Sequence, residues 1–399
     1  MTNWKKYKFS DFVDINPAIP LHKNGKYSFI EMADLNNGQR YVYPSTQREL
    51  TGGSRFQEND TLFARITPCL ENGKICQAKN LKDGIGFGST EFLVFRGKQN
   101  VSDSNFVFYL SRWEEVRKFA EQHMVGTSGR QRVPKEVFDN LEITLPDLHT
   151  QTRIAEILSS LDDKIELNRQ MNQTLEQIAQ ALFKKYFVDD IDSDNLPEGW
   201  RWGKVGDMVS LSKASVNPSK VPDFAFWHYS IPSFDEGKCP KMESSESILS
   251  NKFIVRSNSI LFSKLNPRFA RVWPVGRIDE SKAICSTEFL VFIPIEMHLY
   301  SHLKMVLTQV EFLENLVSKA TGTSGSHQRV KPDDILEAEI LVPSMEAAKK
   351  LDKELRPLID LEIKNIEESS QLRLIRDSLI PKLMSGEIDF NLGVDAVSR

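Results

Sequence analysis

The chain contains the same heptapeptide twice. STEFLVF occupies Ser89–Phe95 and returns at Ser286–Phe292, 197 positions later. Other segments recur in the same order at offsets between 196 and 201, namely Leu62–Pro68 with Leu261–Pro267, Gly126–Val133 with Gly322–Val330, Leu141–Pro146 with Glu339–Pro343, and Asn16-Pro17 with Asn217-Pro218. A repeat this long cannot be one turn of a solenoid. It predicts two similar globular units in one chain; a duplication without functional meaning is the alternative.

Each copy changes in character at the same place. Its first 145 or so residues contain short aromatic and β-branched runs such as EFLVF, broken by Gly, Asn and Pro. That texture is typical of a small α/β domain with a partly antiparallel sheet. After Pro146, and again after Pro343, the sequence becomes long, charged and helical. The predicted fold class is therefore α+β, with an internal pseudo-twofold repeat.

The helical parts carry heptads. Residues spaced by seven are Ile154, Leu161, Asn168, Leu175 and Leu182 in the first copy and Leu351, Leu358, Asn365, Leu372 and Leu379 in the second. Intervening apolar positions are Ile157, Met171 and Ile178, with Leu361 and Ile375 in the second copy. Sustained heptads predict an antiparallel two-helix coiled coil between the two copies.

Two asparagines and one proline mark these helices. Asn168 and Asn365 hold the third of five equivalent positions, where a buried Asn fixes register at some loss of stability. In an antiparallel pair they meet near the axis; the alternative is that each faces water. Pro357 removes a helix hydrogen bond at a cost of about 3 kcal/mol, which predicts a break near Arg356.

Composition limits the class of protein. Of the 399 residues 40% are hydrophobic and 27% charged, and no apolar run approaches the length of a membrane span. Four scattered cysteines favour reduced thiols in a cytoplasmic protein, with no membrane partner. The net charge of −4 is unusual for a nucleic-acid binder.

Two phrases carry a family resemblance. LPEGWRWGKVGDM (Leu196–Met208) and IRDSLIPKLMSGEI (Ile375–Ile388), with the GTSG…QRV…LP stretches, resemble type I restriction–modification specificity subunits, the HsdS family. The resemblance covers essentially the whole chain. It implies two target-recognition domains, each followed by a long helix, with two methyltransferase subunits docked on the helices. It also implies that translocating endonuclease (restriction) subunits can join. Because recognition domains vary freely in that family, no DNA-contacting residue can be carried over.

The resulting domain prediction assigns every part of the chain. It places target-recognition domain 1 at 1–146, long helix 1 at 147–187, an acidic linker at 188–198, target-recognition domain 2 at 199–343, long helix 2 at 344–385 and a C-terminal tail at 386–399.

The plan also predicts the form of the target. A helix of about 35 residues is about 50 Å long, enough to set two readers about one turn of duplex apart. Similar but unequal readers predict an asymmetric, bipartite site in double-stranded DNA with an unread spacer.

Candidate DNA contacts lie in a basic stretch without acids. Residues 251–277 interleave aromatic side chains with Lys252, Arg256, Lys264, Arg268 and Arg271. Cations among aromatics suit phosphate neutralisation and base-edge contact. The alternative is a strand pair with aromatics inside and cationic side chains extending to water. The matching stretch of the first copy is weaker, with Arg65 and Lys74 as candidates.

The GTSG loops supply further candidates. They precede Arg130 and Arg132 in one copy and His327 and Arg329 in the other. Glycines let backbone amides approach a phosphate closely. Because residues that read different half-sites should differ, the shared Gln and Arg are assigned to loop structure or phosphate positioning. Specificity is expected where Arg130 is replaced by Ser326-His327.

Catalytic motifs are missing. There is no GxxxxGK[ST] loop, and the glycines of Gly84–Gly88 lead into a strand rather than a helix. Asn266-Pro267 departs from an (N/D)PP(Y/F) methyltransferase turn at its third place. The sequence therefore predicts a non-catalytic subunit with no cofactor and no metal.

One nuclease-like pattern keeps a second hypothesis open. Pro146-Asp147 followed by Asp162 and Lys164 matches PD…(D/E)xK, although Asp162 and Lys164 lie in the heptad helix. A standalone DNA-modifying or DNA-cleaving enzyme is therefore the alternative, and an adaptor that binds only proteins is a third hypothesis.

Overall fold

The protein is a mixed α+β molecule of two compact units. The computed structural model describes residues 4–22, 25–127, 129–189, 191–192, 194–321 and 328–388. Unit 1 comprises Met1–Glu166 with Gln371–Arg399, and unit 2 comprises Leu167–Ser370. Each long helix contributes one part to each unit. Within the described ranges, no helix combines the length and apolarity required to span a bilayer.

The strands of unit 1 form two main sheets and a two-stranded pair. They are β1 (Lys5–Lys8), β2 (Val13–Ile15), β3 (Lys26–Ile30), β4 (Tyr41–Val42), β5 (Thr46–Glu49), β6 (Ser54–Gln57), β7 (Thr61–Ala64), β8 (Ile75–Ala78), β9 (Ile85–Gly88), β10 (Phe92–Gly97) and β11 (Glu142–Leu145). The sheet orders are β2-β10-β7-β8-β4 and β5-β3-β9-β6, and β1 pairs with β11.

The strands of unit 2 follow a corresponding order. They are β12 (Arg201–Lys204), β13 (Val209–Ser212), β14 (Ser215–Val216), β15 (Ala225–Tyr229), β16 (Lys241–Ser244), β17 (Lys252–Ile254), β18 (Ile260–Ser263), β19 (Val272–Pro274), β20 (Ala283–Cys285), β21 (Phe289–Pro294) and β22 (Glu339–Val342). The sheet orders are β13-β21-β18-β19 and β14-β17-β20-β15-β16, and β12 pairs with β22.

The helices complete both units. They are α1 (Phe9–Phe12), α2 (Ser104–Arg112), α3 (Glu114–Gln122), α4 (Leu148–Lys184), α5 (Ile231–Asp235), α6 (Tyr300–Val306), α7 (Val310–Lys319), α8 (Pro332–Leu336) and α9 (Met345–Met384). Short 3₁₀ turns span Lys82–Gly84, Lys135–Asn140, Val205–Asp207, Pro218–Lys220, Ser245–Ser247 and Met297–Leu299, and a π-helical turn, Lys185–Asp189, follows α4.

The repeated EFLVF forms an internal strand of each unit. β10 pairs antiparallel with β2 and β7, and β21 pairs antiparallel with β13 and β18. Residues Phe92–Phe95 and Phe289–Phe292 are all buried. A strand with neighbours on both edges and both faces covered needs a continuous apolar run. That requirement is met equally in both copies, so the heptapeptide is part of the framework.

The long helices pack into the cores of both units. In unit 1 Leu158 and Ile380 belong to one cluster with the rings of Phe63 and Phe95, whose centroids lie 5.0 Å apart. In unit 2 Phe183 and Leu355 join the corresponding cluster. Each fully buried side chain of this kind stabilises the fold by about 1.5–3 kcal/mol.

The predicted break near Arg356 is wrong. Helix α9 runs without interruption from Met345 to Met384. Leu355 and Ile359 are fully buried on either side of Pro357. The Arg356 guanidinium donates to the Oδ1 atom of Asn258 at 2.7 Å and stacks on Tyr300 at 4.1 Å. These contacts offset the hydrogen bond that the proline removes.

The predicted heptad positions coincide with the buried face only in part. Ile154, Asn168, Leu351 and Asn365 are buried, as predicted. Ile178, Leu361 and Ile375 are 43%, 36% and 48% exposed. Positions outside the predicted set are buried instead, among them Ile165 and Glu362. The globules also pack on these helices, so the buried face is wider than the predicted two-helix seam.

Candidate nucleic-acid interface

An ion pair of the same form occurs in each unit. In unit 1 the Nε and Nη2 atoms of Arg132 donate to the carboxylate of Glu91 at 2.8–2.9 Å. In unit 2 the same atoms of Arg329 donate to Glu288 at 3.0–3.2 Å. We call this pair the clasp. It joins the third residue of STEFLVF to the arginine of QRV, which explains why both phrases recur together.

Backbone hydrogen bonds surround each clasp in the same way. The amide of Val133 donates to Arg65 at 2.8 Å, and that of Val330 donates to Lys264 at 3.1 Å. The amides of Arg65 and Lys264 in turn donate to the carbonyls of Glu91 and Glu288. Arg65 and Lys264 therefore occupy equivalent places at the ends of β7 and β18.

The remaining candidates of unit 1 differ in their surroundings. The ammonium of Lys74 donates to the carbonyl of Met32 at 2.9 Å, a bond within the fold. Arg130 is exposed and follows Gly126 and Gly129, both of which adopt positive φ angles. Only Gly tolerates such angles readily, so the glycines shape the turn that presents Arg130. Ser128 lies outside the described residues.

Three predicted cationic residues of unit 2 are engaged internally. Lys252 is only 8% exposed and bonds to Ser250, and burial lowers its pKa. Arg256 donates to Glu280 at 2.8 Å. Arg271 makes two bonds to Asp235, at 2.8 and 2.9 Å. Because these three side chains are bonded within the fold, a role in supporting the fold is favoured over direct contact with DNA.

The other two predicted cationic residues of the same stretch are at least partly exposed. Lys264 is partly exposed, and Arg268 is exposed with its guanidinium 5.0 Å from the centre of the Phe269 ring. His327, with the glycines at 322 and 325, lies outside the described residues.

The two register asparagines lie together in unit 2. Both are buried. The Nδ2 atom of Asn168 donates to the backbone carbonyl of Asn365 at 3.4 Å and to Glu368 at 2.8 Å. Asn365 donates to the Oδ1 atom of Asn172 at 2.8 Å. The helices run antiparallel at this contact, because Asn172 follows Asn168 whereas Asn365 precedes Glu368.

Unit 1 holds its helices with a buried ion pair that the sequence did not reveal. Arg376 of α9 pairs with Asp162 of α4, and both side chains are 1% exposed. The hydroxyl of Tyr109 donates to Asp162 at 2.7 Å, and Arg376 also donates to the carbonyl of Gly38 at 3.0 Å. Asp162 is therefore committed to a structural pair, which argues against the nuclease-like pattern. No cluster of three or more metal-ligating side chains is found in the described parts of the chain.

Unit 2 uses a different buried network. Lys304 of α6 donates to Glu176 of α4 at 2.8 Å and to Glu362 of α9 at 3.0 Å. Lys238 also donates to Glu362, at 3.0 Å. Burial alone would raise the pKa of Glu362, but the two lysines outweigh it and hold that pKa at about 2. In sequence these residues look like ordinary surface charges of a helix.

Comparison with known proteins finds similarity to DNA specificity subunits. Residues 1–177 match the type I restriction modification DNA specificity domain. The HindI specificity subunit of Haemophilus influenzae is 35% identical over 196 residues, which cover 47% of this chain and 42% of that one. The MjaIX specificity subunit of Methanocaldococcus jannaschii is 26% identical over 97% of this chain and 94% of that one. Over essentially its whole length, the chain is thus similar to type I restriction–modification specificity subunits.

One solved structure is similar to this chain in fold. The S subunit of a type I restriction–modification system from M. genitalium has a TM-score of 0.52 and 16% identity, covering 96% of both chains. The alignment with the HindI specificity subunit spans less than half of that relative's length.

Proposed function

We propose that the chain is the DNA-reading subunit of a type I restriction–modification complex. Each globule acts as a target-recognition domain for one half of an asymmetric, bipartite site in double-stranded DNA. Helices α4 and α9, joined as an antiparallel pair, set the spacer and dock two methyltransferase subunits, and restriction or translocase subunits can join the complex. The chain acts without catalysis or cofactor, in the cytoplasm.

The observation that carries this proposal is a shared framework beneath unequal surfaces. The corresponding sheet orders and the clasps at Arg132 and Arg329 are common to both units. The sequences next to the clasps differ, and Arg130 has no arginine at the corresponding place of the second copy. A framework kept constant while its loops diverge is what two readers of different half-sites require.

The exposed cationic residues are the proposed DNA contacts. Arg130 in unit 1 and Lys264 and Arg268 in unit 2 are at least partly exposed to solvent, so they are assigned to phosphate or base contact. Arg132 and Arg329 are assigned to holding the loops. With a net charge of −4, the subunit relies on its partners to help neutralise the duplex.

The proposed docking surface follows the exposed heptad residues. Ile178 and Leu361 are exposed in unit 2, and Ile375 is exposed in unit 1. Apolar residues at heptad positions that stay partly exposed suit helices of a partner. Helices from methyltransferase subunits would cover these residues in each unit.

The test is to sequence the methylome of a host with and without this gene, alongside its cognate methyltransferase gene. We expect one bipartite, asymmetric motif with a fixed spacer to lose methylation when the gene is removed. Unchanged methylation would refute the proposal and favour the protein-only adaptor. Mg²⁺-dependent cleavage or methylation of DNA by the isolated chain would favour the enzyme hypothesis.

A further inference from the structure

A large aromatic side chain stands exposed beside the clasp of unit 2. Phe269 is 51% exposed. The guanidinium of Arg268 lies 5.0 Å from the ring centre and that of Arg271 lies 5.4 Å from it. An exposed Phe is not unusual by itself. An exposed ring that lies within cation–π distance of two arginines is a more specific arrangement.

The turn that carries Phe269 is anchored at its base. The amide of Asn266 donates to Gln328 at 2.8 Å, and that of Phe269 donates to Asn266 at 3.0 Å. The bidentate bond to Asp235 leaves the Arg271 side chain 12% exposed. The ring is therefore presented from a fixed support, which reduces the entropy lost when it binds a partner.

The corresponding segment of unit 1 is described throughout and presents no aromatic ring. The corresponding segment after β7 forms a turn in which the amide of Leu70 donates to Ile66 at 3.0 Å. Leu70 is fully buried in the core of unit 1, and the next residue is Glu71. At this equivalent position the apolar side chain is buried in unit 1 and exposed in unit 2.

We propose that Phe269 is a stacking wedge that enters one base step of the half-site read by unit 2. Arg268 contacts the adjacent phosphate. The inference rests on the proposed function and adds a deformation of the duplex in one half-site. An apolar ring flanked by positive charge complements a partner that has flat apolar faces beside phosphates, which is a base step. A protein surface would need acids around an apolar pocket and is the competing outcome.

The wedge has an expected energetic signature. Aromatic stacking on a base is lost when the ring is truncated, so Phe269→Ala is expected to weaken specific binding about 5- to 100-fold. Phe269→Trp keeps a ring and should retain most of the affinity. Arg268→Gln should weaken binding to all sequences and lower the slope of log affinity against log salt by about one.

The experiment uses the full chain with its methyltransferase subunits and a duplex carrying the methylated motif. 2-Aminopurine is placed at each step of the half-site in turn, and its fluorescence reports unstacking. We expect one step to brighten with the wild type and with Phe269→Trp, and not with Phe269→Ala. Leu249→Ala is the matched control, because Leu249 is an apolar residue of unit 2 that is 84% exposed.

Several results would overturn the wedge. If Phe269→Ala binds within twofold of the wild type and brightens the same step, the inference is wrong although the proposed function stands. If Phe269→Ala loses methyltransferase subunits while its remaining DNA binding is unchanged, the ring belongs to a protein interface. A wild-type complex that selects no DNA sequence would overturn both proposals.

Discussion

Units 1 and 2 build the same framework but secure the long helices with different buried charges. In unit 1 the helices supply both members of the ion pair, Asp162 and Arg376, and the globule adds the hydroxyl of Tyr109. In unit 2 the helices supply two acids, and the globule supplies the base Lys304. Apolar packing is therefore repeated, whereas buried polar connections are specific to each unit.

This difference affects how each globule is held on the long helices. A buried charge is tolerated only with its partner, and removing one partner leaves the other uncompensated. The buried base of unit 2 requires the acids of α4 and α9 that face it. We therefore expect that neither globule can replace the other on its part of the long helices.

The largest effect is expected in the ion pair of unit 1. Arg376→Met leaves Asp162 buried without its cation and should lower the free energy of unfolding by about 3–5 kcal/mol. Adding Asp162→Ile, which copies the residue at the corresponding position 359, should recover part of that loss. Urea denaturation followed by circular dichroism measures both variants. A single variant within 1 kcal/mol of the wild type would show that Asp162 finds another partner.

The network of unit 2 should respond differently because Lys238 remains. Lys304→Met is expected to cost about 2–4 kcal/mol at neutral pH. Since the pKa of Glu362 is held at about 2, its stabilisation is present above the ordinary value of 4.5 and is lost as pH falls towards 2. Without Lys304 that pKa rises, so the loss caused by the variant should shrink on acidification. A loss that does not change between pH 7 and 4 would contradict this.

A buried histidine gives unit 2 a pH dependence of its own. Burial lowers the pKa of His302 to about 4 from 6.5, and its Nε2–H donates to the carbonyl of Leu341 at 3.0 Å. The unfolded chain binds the proton more readily, so stability is complete above pH 6.5 and falls between pH 6.5 and 4. The shift corresponds to about 3 kcal/mol. His302→Gln should flatten this part of the curve; an unchanged slope would show that other groups cause it.

Substitutions in the clasps should have the smallest effects on stability, and the effects in the two units should be nearly equal. Both arginines are about half exposed, so water and salt screen the pairs. Arg132→Ala and Arg329→Ala are each expected to leave the denaturation midpoint close to that of the wild type. The two variants are compared in parallel denaturation curves. A large drop of the midpoint in only one of them would mean that the clasps are not equivalent.

The sequence was informative where the two copies agree. Helix starts at Leu148 and Met345 lie one residue from the predicted 147 and 344, because prolines 146 and 343 mark them. The clasp also has a signal in the sequence. Glu91 recurs as Glu288 at the same offset at which Arg132 recurs as Arg329. Identical charges at one offset in two copies suggest a contact.

Other features could not be derived from periodicity. Heptad spacing identified apolar residues of α4 and α9, but Ile178 and Leu361 proved exposed. Which face is buried depends on where the globules pack, and that is tertiary information. The burial of Asp162, Arg376 and Lys304 cannot be predicted from the sequence either, because a charged residue in a helix is ordinarily solvated.

The most direct measurement exchanges one reader. Residues 1–145 are replaced with the corresponding domain of another specificity subunit whose methylated motif is known, and the methylome of the resulting strain is sequenced. One half of the motif should change to that of the donor, while the other half stays the same and the spacer remains within a base pair. A motif unaltered by the exchange, or changed in both halves, would contradict the assignment of one half-site to each unit.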